Sequence, residues 1–256
     1  MPEKLIHLPP KGRVVFVGDT HGDLEATQTV LQWYRREETV LVFLGDYVDR
    51  GLKSKENLDL VIHLWETDPR HVIPLQGNHE GYFVRRYSPA YFWMSLDAQE
   101  FEYYKQKVSE FPLAVSVGSI LALHGAVPNL ETLADFETIR IGDSHWLTLT
   151  WGDFSEQQTA GGNRNRVYTK DYFDRIMQKL GKSLLIRGHD PEAKVAIYDG
   201  RCVTLSTTIV FGPRKIAIAD FTKRPKIAAA GDLEIVDIDQ LTAIIGETKR
   251  PLRKER

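Results

Sequence analysis

Apolar runs of strand length alternate with stretches of helical period through the first half of the chain. Val14 to Val17 has the pattern of a buried strand, and Leu24 to Arg36 follows it with Leu24, Thr27, Val30, Leu31 and Tyr34 on one helical face. Val40 to Leu44 predicts a second strand, Asn57 to Trp65 a second helix, and Val72 to Leu75 a third strand. Such a βαβαβ order implies a parallel sheet. Further on, Pro89 to Val108 is aromatic-rich and helical, and Leu113 to Val117 and Ile120 to Leu123 are short strands separated by Gly118 and Ser119. Tyr172 to Leu180 fits an amphipathic helix and Leu184 to Ile186 a strand; Val195 to Tyr198, Cys202 to Leu205 and Ile216 to Ala219 are expected to form an antiparallel set. Thr159 to Asn165, with its glycines and asparagines, predicts a mobile loop.

The 256 residues are 42% hydrophobic and 27% charged, enough to expect a packed core rather than disorder. No linker divides them. The expectation is one α/β domain over residues 1–256, with its motifs between 13 and 220 and a solvated basic tail from Lys249 to Arg256. A net charge of -2 gives no global reason to expect nucleic acid or an anionic membrane as partner. The longest apolar runs are too short to span a bilayer and Met1 to Pro10 lacks a secretory segment, which points to a cytoplasmic location. Cys202 is the only cysteine, so an intramolecular disulfide and a thiolate metal cluster are both excluded, and any metal must be held by nitrogen and oxygen.

Five short segments carry the candidate chemistry: Gly18-Asp19-Thr20-His21-Gly22, Gly45-Asp46-Tyr47-Val48-Asp49-Arg50-Gly51, Gly77-Asn78-His79-Glu80, His124-Gly125 and Arg187-Gly188-His189-Asp190. Each begins where a predicted strand ends. Ligands in open α/β sheets bind beyond the carboxyl ends of the strands, so the segments are expected to converge on one crevice. Asp19, His21, Asp46, Asn78, His124 and His189 then supply three oxygen donors and three imidazoles, a set that suits Mn, Fe or Zn better than Ca or Mg.

This order of segments resembles the calcineurin-like metallophosphoesterase superfamily. Within it, Gly45 to Gly51 together with Gly77 to Glu80 is similar to the serine/threonine phosphoprotein phosphatases. The resemblance runs from about Val14 to about Phe211, and takes in Trp151-Gly152-Asp153 and Cys202-Val203-Thr204-Leu205. It implies a fold of two mixed β-sheets flanked by helices and a centre of two divalent ions, manganese first, then iron or zinc. Asp19 and His21 would hold one ion, Asp46 would bridge, and Asn78, His124 and His189 would hold the other. Two such ions lower the pKa of a shared water and neutralise the phosphoryl oxygens. His79 is similar to the family's general acid, with Asp49 as its carboxylate partner. Arg50 matches a phosphate-binding arginine, and either Arg164 or Arg166, Arg164 first, would be a second.

The substrate class so implied is a phosphoprotein or a small phosphomonoester. Two departures from the family pattern bear on the substrate surface: Gly125-Ala126 follows His124 where two glycines are usual, and Ser206 to Phe211 lacks an expected tyrosine. Two other readings are a symmetrical dinucleoside tetraphosphate hydrolase, which shares the metal ligands, and a non-catalytic metal-binding scaffold, which would be expected to lack some of them.

Overall fold

The computed structural model describes residues 3–156 and 166–241. The expected loop at 159–165, with Arg164 in it, and the basic tail at 249–256 lie outside the described residues.

Two sheets stack face to face. One has five strands, Arg13–Val17 (β2), Thr39–Phe43 (β3), Val72–Pro74 (β4), Lys215–Asp220 (β12) and Glu234–Asp237 (β13), in the order β13-β12-β2-β3-β4. The other has six, Leu5–Leu8 (β1), Ala114–Val117 (β5), Ile120–Leu123 (β6), Leu184–Arg187 (β9), Ala196–Ile197 (β10) and Cys202–Thr204 (β11), in the order β1-β5-β6-β9-β11-β10. A short ladder pairs Asp153–Phe154 (β7) with Val167–Tyr168 (β8). The helices are Leu24–Tyr34 (α1), Ser54–Thr67 (α2), Tyr91–Ser95 (α3), Ala98–Ser109 (α4), Ser144–Trp151 (α5) and Lys170–Lys179 (α6). Strands β2, β3 and β4 are mutually parallel, as are β6 and β9, whereas β12 and β5 run antiparallel to their neighbours β2 and β6. Both sheets are therefore mixed, and the expected pair of mixed sheets flanked by helices is the architecture found.

The strands are apolar on both faces because both faces are covered. Along β2, Val14 and Phe16 enter the seam between the sheets, where they meet Val115, Ile120 and Ile186. Val15 and Val17 point the other way, onto Ala26 and Val30 of α1 and Leu58 and Val61 of α2. Beyond the six-stranded sheet, Leu121, Leu123 and Leu185 pack on Trp146 and Leu149 of α5 and Phe173 and Met177 of α6. Each such side chain contributes about 1.5–3 kcal/mol on burial. Among the described residues no helix is long and apolar enough to cross a membrane.

The expected antiparallel set at the end of the chain is corrected. Only β10 and β11 pair antiparallel; β11 lies parallel to β9, and β12 joins the other sheet beside β2. The chain crosses the seam just after Leu205. There Ser206 bridges to Asp19, and the Thr207 hydroxyl accepts from Gly18 N at 2.8 Å and donates to Lys215 O at 2.6 Å. Strands β1 and β13 and helix α5 are among the additions to the predicted elements. The two strands are partly exposed edges without a clean apolar run. Helix α5, SHWLTLTW, is starred by three threonine or serine positions that blur its period, and it is started instead by the Asp143 carboxylate accepting from Trp146 N at 2.8 Å.

Candidate metal centre

Parallel strands deliver their following loops to one rim. Gly18–Gly22 follows β2, Gly45–Gly51 follows β3, Gly77–Glu80 comes after β4, His124 follows β6 and Gly188–Asp190 follows β9. The backbone is strained there: of seven non-glycine residues with positive φ among the described residues, five are His21, Asp46, Asp49, Arg50 and His189. Such strain, of order 1–3 kcal/mol each, persists where surrounding structure enforces it and clusters at functional sites. Two glycines are required by close approach rather than by φ. A Cβ on Gly77 would stand 2.2 Å from Asp46 Oδ1, and one on Gly188 would stand 2.0 Å from Asp19 Oδ1.

Buried Asp46 sits in the middle with its two oxygens facing different partners. Its Oδ2 lies 3.6 Å from His21 Nε2 and 4.0 Å from His79 Nε2, and its Oδ1 lies 3.5 Å from His124 Nε2. Two groups of donors result, one of His21, Asp46 and His79, the other of Asp46, His124 and His189. Asn78 joins the second, its Oδ1 being 3.0 Å from His124 Nε2 and 2.9 Å from His189 Nδ1. Asp19 stands apart from both groups. Its carboxylate accepts the His189 backbone N–H at 3.0 Å and comes within 3.7 Å of His124 Nδ1. Asp19, His21, Asp46, Asn78, His124 and His189 are thus brought to one place, and His79 joins these six through the first group.

The donor set fits cations. His21 Nδ1 donates to Val48 O and His124 Nδ1 to Leu44 O, each at 2.8 Å, which leaves the Nε2 lone pair of both rings facing Asp46 or Asn78 oxygen. Burial keeps these rings neutral: it brings His21 down to about 4 and His189 to about 3, and it lowers His124. On His21 and His124, whose one proton sits on Nδ1, the Nε2 lone pair is therefore free for a cation. Burial and the charge of Asp46 also push Asp19 well above the usual carboxylate range, whereas at Asp46 burial is outweighed by the four surrounding imidazoles, which hold it below that range.

His79 differs from the other three rings. Its Nδ1 donates to Asp49 Oδ2 at 2.7 Å, and although burial works against the proton, the charges of Asp46 and Asp49 outweigh it and hold the ring above the ordinary imidazole value. Asp49 is itself fixed by Tyr87 OH at 2.6 Å and Phe92 N at 2.8 Å, while Trp93 Nε1 holds the His79 carbonyl at 2.7 Å. Above these groups lies a cleft of about 510 Å³, lined by Asp46, Asn78, His79 and His189 and by the arginines Arg50, Arg85 and Arg166. Arg166 is anchored by Nη1, which donates to Ser144 O at 3.0 Å and to Thr148 Oγ1 at 2.8 Å.

Several residues have supporting roles that the sequence does not disclose. Buried Glu80 accepts from Asp46 N, Tyr47 N and Gly77 N at 2.8–3.0 Å, tying two loops together; burial and Asp46 nevertheless raise it to about 8. Asn57 of α2 donates to Thr20 Oγ1 and Tyr47 O, both at 2.9 Å, and so ties the first loop to the second. Arg187 pairs with Asp153 at 2.8 Å beneath His189. The acidic residue closing Gly77 to Glu80 was visible in the sequence, but only the three N–H groups around it reveal what it does.

A model of the calcineurin-like phosphoesterase family matches residues 12–193. The chain is 26% identical over 258 residues to "Probable serine/threonine-protein phosphatase" of Encephalitozoon cuniculi, covering 94% of this chain and 56% of that protein. To a PP2A-like serine/threonine-protein phosphatase of Candida albicans it is 25% identical over 207 residues, covering 74% and 50%. It spans about half the length of these relatives. In structure it superposes on a Saccharomyces cerevisiae protein serine/threonine phosphatase, described as similar to human phosphatase PP5, with a TM-score of 0.77 at 21% identity over 92% of this chain and 83% of that one. Members of the matched family use a dinuclear centre of divalent ions, and the two donor groups around Asp46 are where this chain could hold them. Since the match begins before Gly18 and ends beyond Asp190, taking in all five segments that build the centre, the chain belongs to the calcineurin-like phosphoesterase family.

Proposed function

We propose that this chain is a metal-dependent phosphatase of phosphate monoesters, with phosphoserine and phosphothreonine in proteins as its substrates. The observation that carries the reading is Asp46, whose two oxygens face two separate donor groups at the floor of an arginine-lined cleft. Asp19 and His21 would hold one ion with Asp46, and Asn78, His124 and His189 the other. Two divalent ions, manganese the first to test and iron or zinc next, would supply an activated water and neutralise phosphoryl oxygens.

The chain's own groups do the rest. Arg50 offers a planar fork to two phosphoryl oxygens, and Asn78 reaches the same cleft. Arg166 is the described candidate for a second clamp, in the role for which Arg164 is the other choice. His79, its Nδ1 occupied by Asp49, presents Nε2 to the cleft floor and would give its proton to the leaving oxygen. The named relatives are serine/threonine phosphatases, which supports the substrate class. The chain would act as one domain in the cytoplasm.

The test is metal-stripped protein reloaded with manganese, iron or zinc and offered a phosphoserine peptide, p-nitrophenyl phosphate and diadenosine tetraphosphate. Monoesters should be cleaved with the higher kcat/KM; faster cleavage of the tetraphosphate would point to a nucleotide hydrolase, and no turnover with two ions bound to a scaffold. His79→Asn should keep its metal yet lose about two to four orders of magnitude in kcat on the peptide. With p-nitrophenolate, which leaves unaided, the loss should be smaller. Equal losses on both substrates would remove His79 from the role of acid.

A further inference from the structure

The cleft wall carries one arginine more than the proposed phosphoryl clamp uses. Arg50 and Arg166 are the described pair proposed above to clamp the phosphoryl group, and Arg85 remains. Arg85 is exposed and lies over the ring of Trp151, its Cζ 4.6 Å from the ring centroid. Among the described residues it makes no ion pair, whereas Arg187, Arg201 and Arg214 are each neutralised by an aspartate. Asp190 and Glu192 line the same cleft, and Arg85 pairs with neither.

Stacking uses the face of a guanidinium and leaves its in-plane N–H donors free. Trp151 thus holds Arg85 as a fixed, unneutralised fork at the wall of the cleft. That wall adjoins the metal centre, since the Trp151 ring lies 6.2 Å from the ring of His189 and 6.0 Å from that of Tyr87. Only two side-chain contacts separate Arg85 from a proposed metal ligand.

We propose that Arg85, presented on the face of Trp151, is a subsite for a second anionic group on the substrate. It rests on the phosphoprotein reading above and names the peptides that reading favours. An extended peptide advances about 3.3 Å per residue, so the second anion belongs two or three residues from the phosphorylated one. A carboxylate and a second phosphate share the chemistry, both accepting two parallel N–H bonds from one guanidinium.

The test uses phosphothreonine peptides that differ only two and three residues away, carrying alanine, glutamate or a non-hydrolysable phosphonate analogue of phosphoserine. For the manganese-loaded enzyme, kcat/KM should be about five-fold higher for glutamate than for alanine, mostly through KM, since a partly exposed charge pair is worth about 1 kcal/mol. The phosphonate should exceed glutamate if phosphate is the natural source and match it if a carboxylate is. Both advantages should shrink with added salt. In Arg85→Gln the ratio should fall to about one, and in Arg85→Lys it should be intermediate, because the charge stays and the fork is lost. Equal kcat/KM across the peptides, or a preference that survives Arg85→Gln, would overturn the subsite alone. Turnover of p-nitrophenyl phosphate with none of any phosphopeptide would overturn the phosphoprotein reading, and the subsite with it.

Discussion

His21, Asp46 and His79 all leave the five-stranded sheet, whereas His124 and His189 leave the six-stranded sheet and meet Asp46 and Asn78 from across the seam. The two halves of the centre are braced accordingly. The first is held by its own neighbourhood: Val48 O orients His21, Asn57 ties the loops bearing His21 and Asp46, and Glu80 gathers the N–H groups of Asp46, Tyr47 and Gly77. The second depends on bonds between sheets, from His124 Nδ1 to Leu44 O and from His189 N to Asp19. Local loop closure can therefore preorganise the first half, while the second exists only once the sandwich has closed.

The largest test of that division is a residue common to both halves. Asp46→Asn should lower occupancy of both ions and reduce kcat/KM by about 10³-fold or more, because an amide bridges two cations poorly. Elemental analysis after dialysis, read beside the rate, gives the answer. Two tightly held ions with a near-normal rate would dissolve the link between the halves.

A smaller and one-sided effect is expected at Asn57, which touches none of the proposed ligands. Asn57→Ala leaves Tyr47 O and the hydroxyls of Thr20 and Thr27 without their amide partner in a buried site. Loss of support behind a ligand typically costs 10–100-fold in metal affinity. The loss should fall on the first half, as in His21→Ala and unlike His124→Ala, when two-step metal binding is followed calorimetrically. Equal weakening of both steps would show that the halves share their bracing.

The same division explains what the sequence discloses. The first half was legible because strand, glycine, donor and helix follow one another within each βα unit, so pattern and chemistry share one short stretch. His124 and His189 were legible as motifs. Their sheet was not, since β1 is a partly exposed edge and β11, expected in an antiparallel set, lies parallel to β9. Propensity reports local preference, and only the seam decides between equally apolar partners. Glu80, Asn57 and Tyr87 escaped for another reason: their roles lie in which backbone or carboxylate groups they reach, which residue type alone does not specify.

The smallest expected effect lies at the seam itself, where Thr207 is fully buried and joins three segments. Its hydroxyl accepts from Gly18 N, at the head of the loop bearing Asp19 and His21, and donates to Lys215 O at the start of β12. Thr207→Val keeps the shape and removes the hydroxyl, leaving one buried donor and one buried acceptor unsatisfied. Each such group costs about 1–3 kcal/mol, so a loss of at least about 2 kcal/mol and a fall in Tm of at least about 4–8 °C are expected for a chain of this size. Because Gly18 precedes Asp19, a proposed ligand of the first ion, loosening here acts on the first half directly and reaches the second through the His189 backbone N–H that Asp19 accepts. Metal affinity should therefore drop at the first half by about three-fold and at the second by less, with kcat on the loaded enzyme little changed. A Tm loss with equal weakening at both ions would make Thr207 a general stabiliser of the sandwich. A loss confined to the second ion would show that Asp19 serves that half through its bond to His189 N rather than as a ligand of the first ion.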